Sequence, residues 1–428
     1  MTPQASFTII APIARERVGE LRAFLTTMNR EPGTADPENK LVPFGRFEDL
    51  HFARFVILND QTTRDIRELY GVSRPEPPTY LGFVGDFDGE YDGFIQQLVK
   101  VASPGLRRIF AFCEGFPPDG DLAQWMKAHE QRPSALYCNW VGRTVRQTRQ
   151  EERLRLALRA YIEQQPDLLD KPASAVHRIL RDFVGAAGLQ LPPETKTPAG
   201  WTVRQALDWI VLVLLIVTAP VTALPLLLLV LRIRSLEKSD RVFAPRPKPQ
   251  CDAALSALED RGVTNQFSAM GTLKPGLARA IAVRLALWIV NLTARTIFTR
   301  GRLARVHTIH FARWVFLDKG TRILFASNYD GSLESYMDDF INKVGFGLNV
   351  VFGNGVGYPR TEWLLLKGSK DEQLFKYFLR RHQLPTEVWY NAHSGFTAHD
   401  LERNSRIREG LERSVLTEAQ AREWIALL

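Results

Sequence analysis

The chain has 428 residues, 45% hydrophobic and 24% charged, with a formal net charge of +8. That balance excludes a disordered chain, allows two or three domains, and favours anionic partners such as a membrane surface or nucleic acid. Three cysteines, Cys113, Cys138 and Cys251, form neither a metal spacing nor an even disulfide framework, so a reducing compartment is expected.

The first twenty residues lack a basic stretch ahead of a long apolar run, so a cleaved signal peptide is not expected. Phe7 to Ile13 reads as a strand. Arg15 to Met28 puts Val18, Leu21, Phe24 and Leu25 at helical spacing. Pro32 to Lys40 is a polar loop. His51 to Leu58 is a second strand and Tyr80 to Val84 a third. Tyr91 to Val101 is a helix, and Ala135 to Val141 a fourth strand. The order is βαββαβ, the split βαβ unit. A charged helix follows from near Thr148, with Leu154, Leu158 and Ile162 on one stripe. A short helix, SAVHRILRDFVGAAG, comes next, then an extended stretch marked by Pro192, Pro193 and Pro198.

The same order then returns. Gln266 to Met270 is the first strand, and Lys274-Pro275 opens a helix to Phe298. HFARWVFL and RILFAS are the middle strands, with a helix from Leu333 to Val344. Glu387 to Ala392 is the last strand, and Ala398 to Val415 the charged helix. Particular residues repeat as well. His51-Phe52-Ala53-Arg54 matches His310-Phe311-Ala312-Arg313, Asp88-Gly89 matches Asp330-Gly331, and Gly115-Phe116-Pro117 matches Gly357-Tyr358-Pro359. Such a repeat governs the fold assignment.

A split βαβ sheet has one bare apolar face that must be covered. Two copies in one chain can cover each other. This resembles the dimeric α/β-barrel superfamily in duplicated form, to which dye-decolorising peroxidases and chlorite dismutases belong. The resemblance implies an α+β fold in which two tandem ferredoxin-like repeats, residues 1–165 and 265–428, pair into one α/β barrel. It also implies haem bound in the second copy. Gly85, Asp88 and Gly89, within GDFDG, fit the GxxDG pattern of the peroxidases. The second copy reads SNYDG and lacks the first glycine. Turn formation explains both Asp-Gly pairs equally well.

Between the copies, residues 166–264 form a linker around a charge-free run, Trp209 to Leu231. Its length signals a membrane helix. Pro220 and Pro225 divide it into halves of about ten residues, each too short to span. If both copies share one barrel, one crossing between them is forbidden. Ala280 to Phe298, with Arg284, Asn291 and Arg295, reads as an interfacial or packing helix with a basic face. The expectation is a membrane-associated helical hairpin in one leaflet, its basic flanks (Arg204, Arg232, Arg234, Lys238) and the bulk of the chain on the cytoplasmic side.

On alternation, His51 and His310 point to the face opposite Arg54 and Arg313. Such histidines serve as structural, half-buried residues or as functional ones. The second copy has His393 and His399 where the first has Trp140 and Arg146. Their spacing can bring both to one barrel mouth, and one neutral imidazole suffices to hold haem iron. Both also fit a polar surface loop. The run Gly353 to Gly357 lacks the Lys-Ser/Thr of a phosphate loop and serves packing or a ligand's approach. Arg300 to Arg305, RGRLAR, reads as a membrane-surface contact, and nucleic acid is not expected as a partner.

The leading expectation is an oxidoreductase, peroxidase-like and haem-dependent, acting on a lipophilic substrate from the bilayer. His393 or His399 would be the haem and metal ligand, with His310, Arg313 and Asp330 in acid–base or polar roles. The alternative is a non-catalytic lipid-binding or scaffold protein using the barrel cavity and basic surface. A third reading is a cofactor-free monooxygenase using His310 and Asp330.

Overall fold

Each half of the chain builds three strands of one sheet and lends its last strand to the other. The computed structural model describes residues 1–60, 62–189 and 195–428; Pro192 and Pro193 lie outside them. The first half supplies β1 (Gln4–Ile13), β2 (Leu50–Leu58), β3 (Thr79–Asp88) and β4 (Ala135–Cys138). The second supplies β5 (Thr264–Thr272), β6 (Ile309–Leu317), β7 (Arg322–Asp330) and β8 (Thr386–Asn391). One sheet runs β1-β3-β2-β8 and continues into two short strands, Thr34–Ala35 and Asn29–Glu31; the other runs β4-β6-β7-β5.

The structure is mixed α+β, but its sheets do not close into the expected barrel. At the seams there are only isolated bridges, Ile9 with Glu130 and Ala269 with Gln383. The cause is in the sequence. The chain touches β1 through Ile10 N to His129 O and Gln131 N to Thr8 O. Pro133 follows, which has no N–H to continue that ladder. The chain then crosses to pair with β6. In the second half Leu384 N bonds Ser268 O, Pro385 ends the pairing, and β8 crosses to β2.

Helices cover the outer faces. α1 (Val18–Thr26), α2 (Tyr91–Phe110) and α3 (Leu122–Ala128) pack on the first sheet around Phe7, Phe55, Phe83 and Phe94. α8 (Leu277–Thr296), α9 (Leu333–Phe352) and α10 (Glu372–His382) pack on the second around Phe267, Phe325, Tyr329 and Tyr336. The apolar residues just before the glycine-rich run, Val350 to Phe352, form the last turn of α9. A third core joins α4 (Val145–Glu163) and α5 (Ala173–Ala186) to α11 (Ala398–Glu412) and α12 (Glu418–Ile425).

Between the sheets two arginines reach across in opposite directions. Arg54 donates to Phe267 O, Ser268 Oγ, Ser327 O and Asn328 Oδ1. Arg313 donates to the equivalent set, Phe7 O, Thr8 Oγ1, Gly85 O and Asp86 Oδ1. Both are buried. Burial, then the charge of Arg313, pushes Arg54 down to about 9. Arg313, expected in a catalytic role, is therefore a staple between sheets. Beyond the arginines, Ile10, Val56, Met270, Val315 and Leu324 pack together in the space between the sheets, where a lipophilic cavity was expected.

The apolar linker forms two helices, α6 (Ala199–Val217) and α7 (Ala219–Glu237). The break falls at Thr218. Pro220 sits in the first turn of α7, where its missing N–H costs nothing, and Pro225 is accommodated inside the helix. The expected ten-residue halves are thus nineteen-residue helices, because each extends into polar residues at its foot. Asp208 of α6 binds Arg295 of α8 at 2.7 Å. Buried Glu237 at the end of α7 accepts from Thr361 Oγ1, Trp363 N and Leu364 N. Just beyond it, Asp240 holds Lys274 (2.8 Å) and Arg279 (2.6 Å). Lys274 Nζ also reaches Gly353 O, so the glycine-rich run serves close packing.

Candidate functional site

At one end of the inter-sheet space both halves assemble the same three parts. Each HFAR strand carries a β-bulge. β2 shifts register between Leu50 and Phe52, and β6 between Ile309 and Phe311. The extra residue is the histidine. Plain alternation points it away from the arginine; the bulge turns it inward instead. There His51 meets Phe311 at 5.3 Å between ring centroids, and His310 meets Phe52 at 5.6 Å.

Each histidine then bonds the aspartate of its own Asp-Gly turn. His51 Nε2 lies 2.8 Å from Asp88 Oδ1, and His310 Nε2 lies 2.6 Å from Asp330 Oδ1. The second oxygen of each aspartate accepts from a helix N-terminus. Asp88 Oδ2 takes Val145 N of α4 at 2.8 Å, and Asp330 Oδ2 takes Ala398 N of α11 at 2.7 Å. Orphan helix N–H groups and the helix dipole both favour a carboxylate there. Gly89 and Gly331 take φ of 92° and 82°, as a turn after each aspartate requires.

The halves differ at one partner. His393 follows β8, is buried, and places Nε2 2.8 Å from His51 Nδ1. With His51 Nε2 facing Asp88, a single proton bridges His51 Nδ1 and His393 Nε2. His393 Nδ1 is buried and, among the described residues, has no hydrogen-bond partner. Burial, then the neighbouring His51 and His310, holds His393 well below the usual imidazole range. A cavity of about 20 Å³ opens beside it, lined among others by Asn139, Arg143 and His310. It has room for one water.

The two copy-specific histidines are not brought together. His399 is exposed on the first turn of α11, while His393 is buried. Ligand pockets for large cofactors need several hundred Å³, so the residues around His393 do not fit haem in this conformation. Among the described residues no group of three or more His, Cys, Asp or Glu side chains is placed to hold a metal ion. His310 and Asp330, expected as site residues, do pair. Sequence reasoning missed the pairing of His51 with His393, because the strand exchange that brings them together leaves no mark in either copy.

A second feature lies outside the sheets. Among the described residues three helices, α6, α7 and α8, are long and apolar enough to cross a membrane. Both α6 and α7 pack against α8 more than against each other. Their outward side chains are bare: Ile210, Val213, Ile216 and Val217 on α6, Val221, Leu224, Leu227 and Leu228 on α7, Leu277, Ile281, Trp288 and Ile289 on α8. Val221 is 79% exposed and Leu277 77%. Arg284 is exposed on the same face of α8 as Leu277, Ile281 and Trp288, and Arg279 is buried.

No family model, curated protein or solved structure matches the chain.

Proposed function

We propose that this is a monotopic membrane protein, held in one leaflet by α6, α7 and α8, that works on membrane amphiphiles. The bare apolar face of the three helices carries the reading. Soluble monomers rarely expose contiguous apolar patches beyond a few hundred Å². Each large side chain moved from water to hydrocarbon contributes about 1.5–3 kcal/mol. Beyond its anchor at Asp208, α6 projects about 14 Å at 1.5 Å per residue. That is half of a hydrocarbon core of about 30 Å. The exchange of β4 and β8 keeps both halves on one side, and the basic flanks Arg232, Arg234 and Lys238 favour the cytoplasmic one.

Flotation tests this. The purified chain should rise with neutral phosphatidylcholine vesicles and stay bound in high salt. The double variant Ile216→Asp, Val221→Asp should remain at the bottom while melting at an unchanged temperature. A wild-type chain that does not float would end the proposal.

A second reading places acid–base or redox chemistry at the histidine cluster. The unpartnered His393 Nδ1, at the end of an Asp88–His51–His393 chain, favours it. The adjoining space admits a water rather than a lipophilic substrate, so such chemistry would concern a small molecule. Loss of a measured turnover in His393→Gln, with melting temperature kept, would support this; equal turnover would sink it.

A further inference from the structure

A cavity of about 670 Å³ lies outside the space between the sheets. It is a groove where the first half of α6 and the C-terminal half of α8 meet the edge formed by β1 and the segment entering β4. One helix therefore serves two environments. Trp201 to Asp208 of α6 lines the groove, and Ile210 to Val217 of the same helix is bare and apolar.

The charges in the groove do not cancel. Lys127 is paired with Asp92 at 2.7 Å, and Arg295 with Asp208 at 2.7 Å. Both oxygens of Glu130 are occupied, by Thr8 N at 2.9 and 3.1 Å and by the Tyr91 hydroxyl at 3.0 Å. Arg132 and Arg204 also line the groove; the charge of Arg132 acts on the Glu130 carboxyl, and among the described residues neither arginine lies within salt-bridge distance of a carboxylate. Arg204 lies close enough to Arg295 for their like charges to act on each other, and Arg295 keeps one buried N–H, on Nε, without an acceptor. Unpaired guanidiniums crowded in a groove call for an oxyanion, and their forked donors match phosphate. Trp201, half-buried, also lines the groove.

We propose that this groove seats the phosphate of an anionic phospholipid whose chains lie along the bare faces of α6 and α8. The proposal rests on the membrane reading above and names the amphiphile. Unfavourable burial makes Glu130 a weaker acid, pushed up to about 7, so near neutral pH it opposes the anion less than a full carboxylate would.

The test uses the detergent-purified full chain and dihexanoyl phosphatidylglycerol below its micellar concentration, read by native mass spectrometry. No vesicle is involved, so its failure is separable from failure of membrane attachment. One phosphatidylglycerol should be retained, and dihexanoyl phosphatidylcholine at least tenfold less. Arg132→Gln combined with Arg204→Gln should abolish the preference. Arg30→Gln combined with Arg67→Gln, both exposed and outside the groove, should keep it. An equal loss in both double variants, or none in either, would overturn the proposal in favour of general surface charge. Displacement of the lipid by an equal concentration of inorganic phosphate would also overturn it, since free phosphate would then be the ligand.

Discussion

At the scale of single residues, the two Asp-Gly turns do more than turn. Asp88 and Asp330 each tie a bulged histidine to a helix N-terminus. Replacing either with alanine leaves buried donors unpaired, at about 1–3 kcal/mol for each group lost. Chemical denaturation of Asp88→Ala and Asp330→Ala should show losses of that order in both, which would confirm that the two halves use the motif alike. His393 gives a pH signature of its own. Its folded-state affinity for a proton is depressed, so the unfolded chain binds more protons below about pH 6.5. Stability should fall as pH drops through that value, and His393→Gln should flatten the fall. Glu130 acts in the opposite sense. Its carboxyl is raised to about 7 in the folded chain, so the folded chain binds the extra proton between about pH 4.3 and 7. Its contribution to stability is therefore lost as pH rises through that window, by an amount on the order of 3–4 kcal/mol at 1.36 kcal/mol per unit. Glu130→Gln should remove this slope from the denaturation profile.

At the scale of elements, the arginine staples are alike in geometry and unequal in charge. Arg313 faces Asp86, whereas Arg54 faces Asn328 at the equivalent place. Burial disfavours the Asp86 carboxylate, and the two arginines offset this. Arg313→Met strands a buried carboxylate and should cost about 3–5 kcal/mol. Asp86→Asn in the same chain should recover part of that cost. Arg54→Met strands no carboxylate and should cost less. Equal losses would show that the backbone acceptors, not Asp86, set the cost. The staples were legible in the sequence only as a repeated letter. HFAR occurs twice, and simple alternation assigned its histidine and arginine to opposite faces. The bulge reversed that, and nothing in a period-two pattern announces an extra residue. Asp88, Asp330 and the Gly after each were legible, because turn chemistry is local. His393 was legible as a difference between the copies, but its partner was not. Whether a strand's edge is completed by its own repeat or by the other depends on where Pro133 and Pro385 stop a ladder, and that becomes clear only once the neighbouring strand is known.

At the scale of the whole molecule, two halves with exchanged strands form one body, and the helices between them form its apolar face. The repeated HFAR and Asp-Gly stretches, the mixed α+β class and the long charge-free run were all plain in the sequence. The barrel was an overextension of the resemblance: the sheets face each other but meet at their seams through isolated bridges, and the space inside is taken by side chains. The groove beside α6 was not foreseen because its walls come from five distant stretches of chain, none of which carries a motif. The anchoring of α6 and α7 at Asp208, Glu237 and Asp240 shows why these helices do not swing freely: the feet of both are hydrogen-bonded into the body.

The exchange of last strands also fixes an order of events during synthesis. The first sheet lacks the strand beside β2 until Thr386–Asn391 has been made, close to the end of the chain. β4 waits for β6. The apolar stretch of α6 and α7 therefore leaves the ribosome while both sheets are still open. A bilayer would meet that stretch before the body it belongs to exists, so the membrane would be a scaffold on which the two halves find each other.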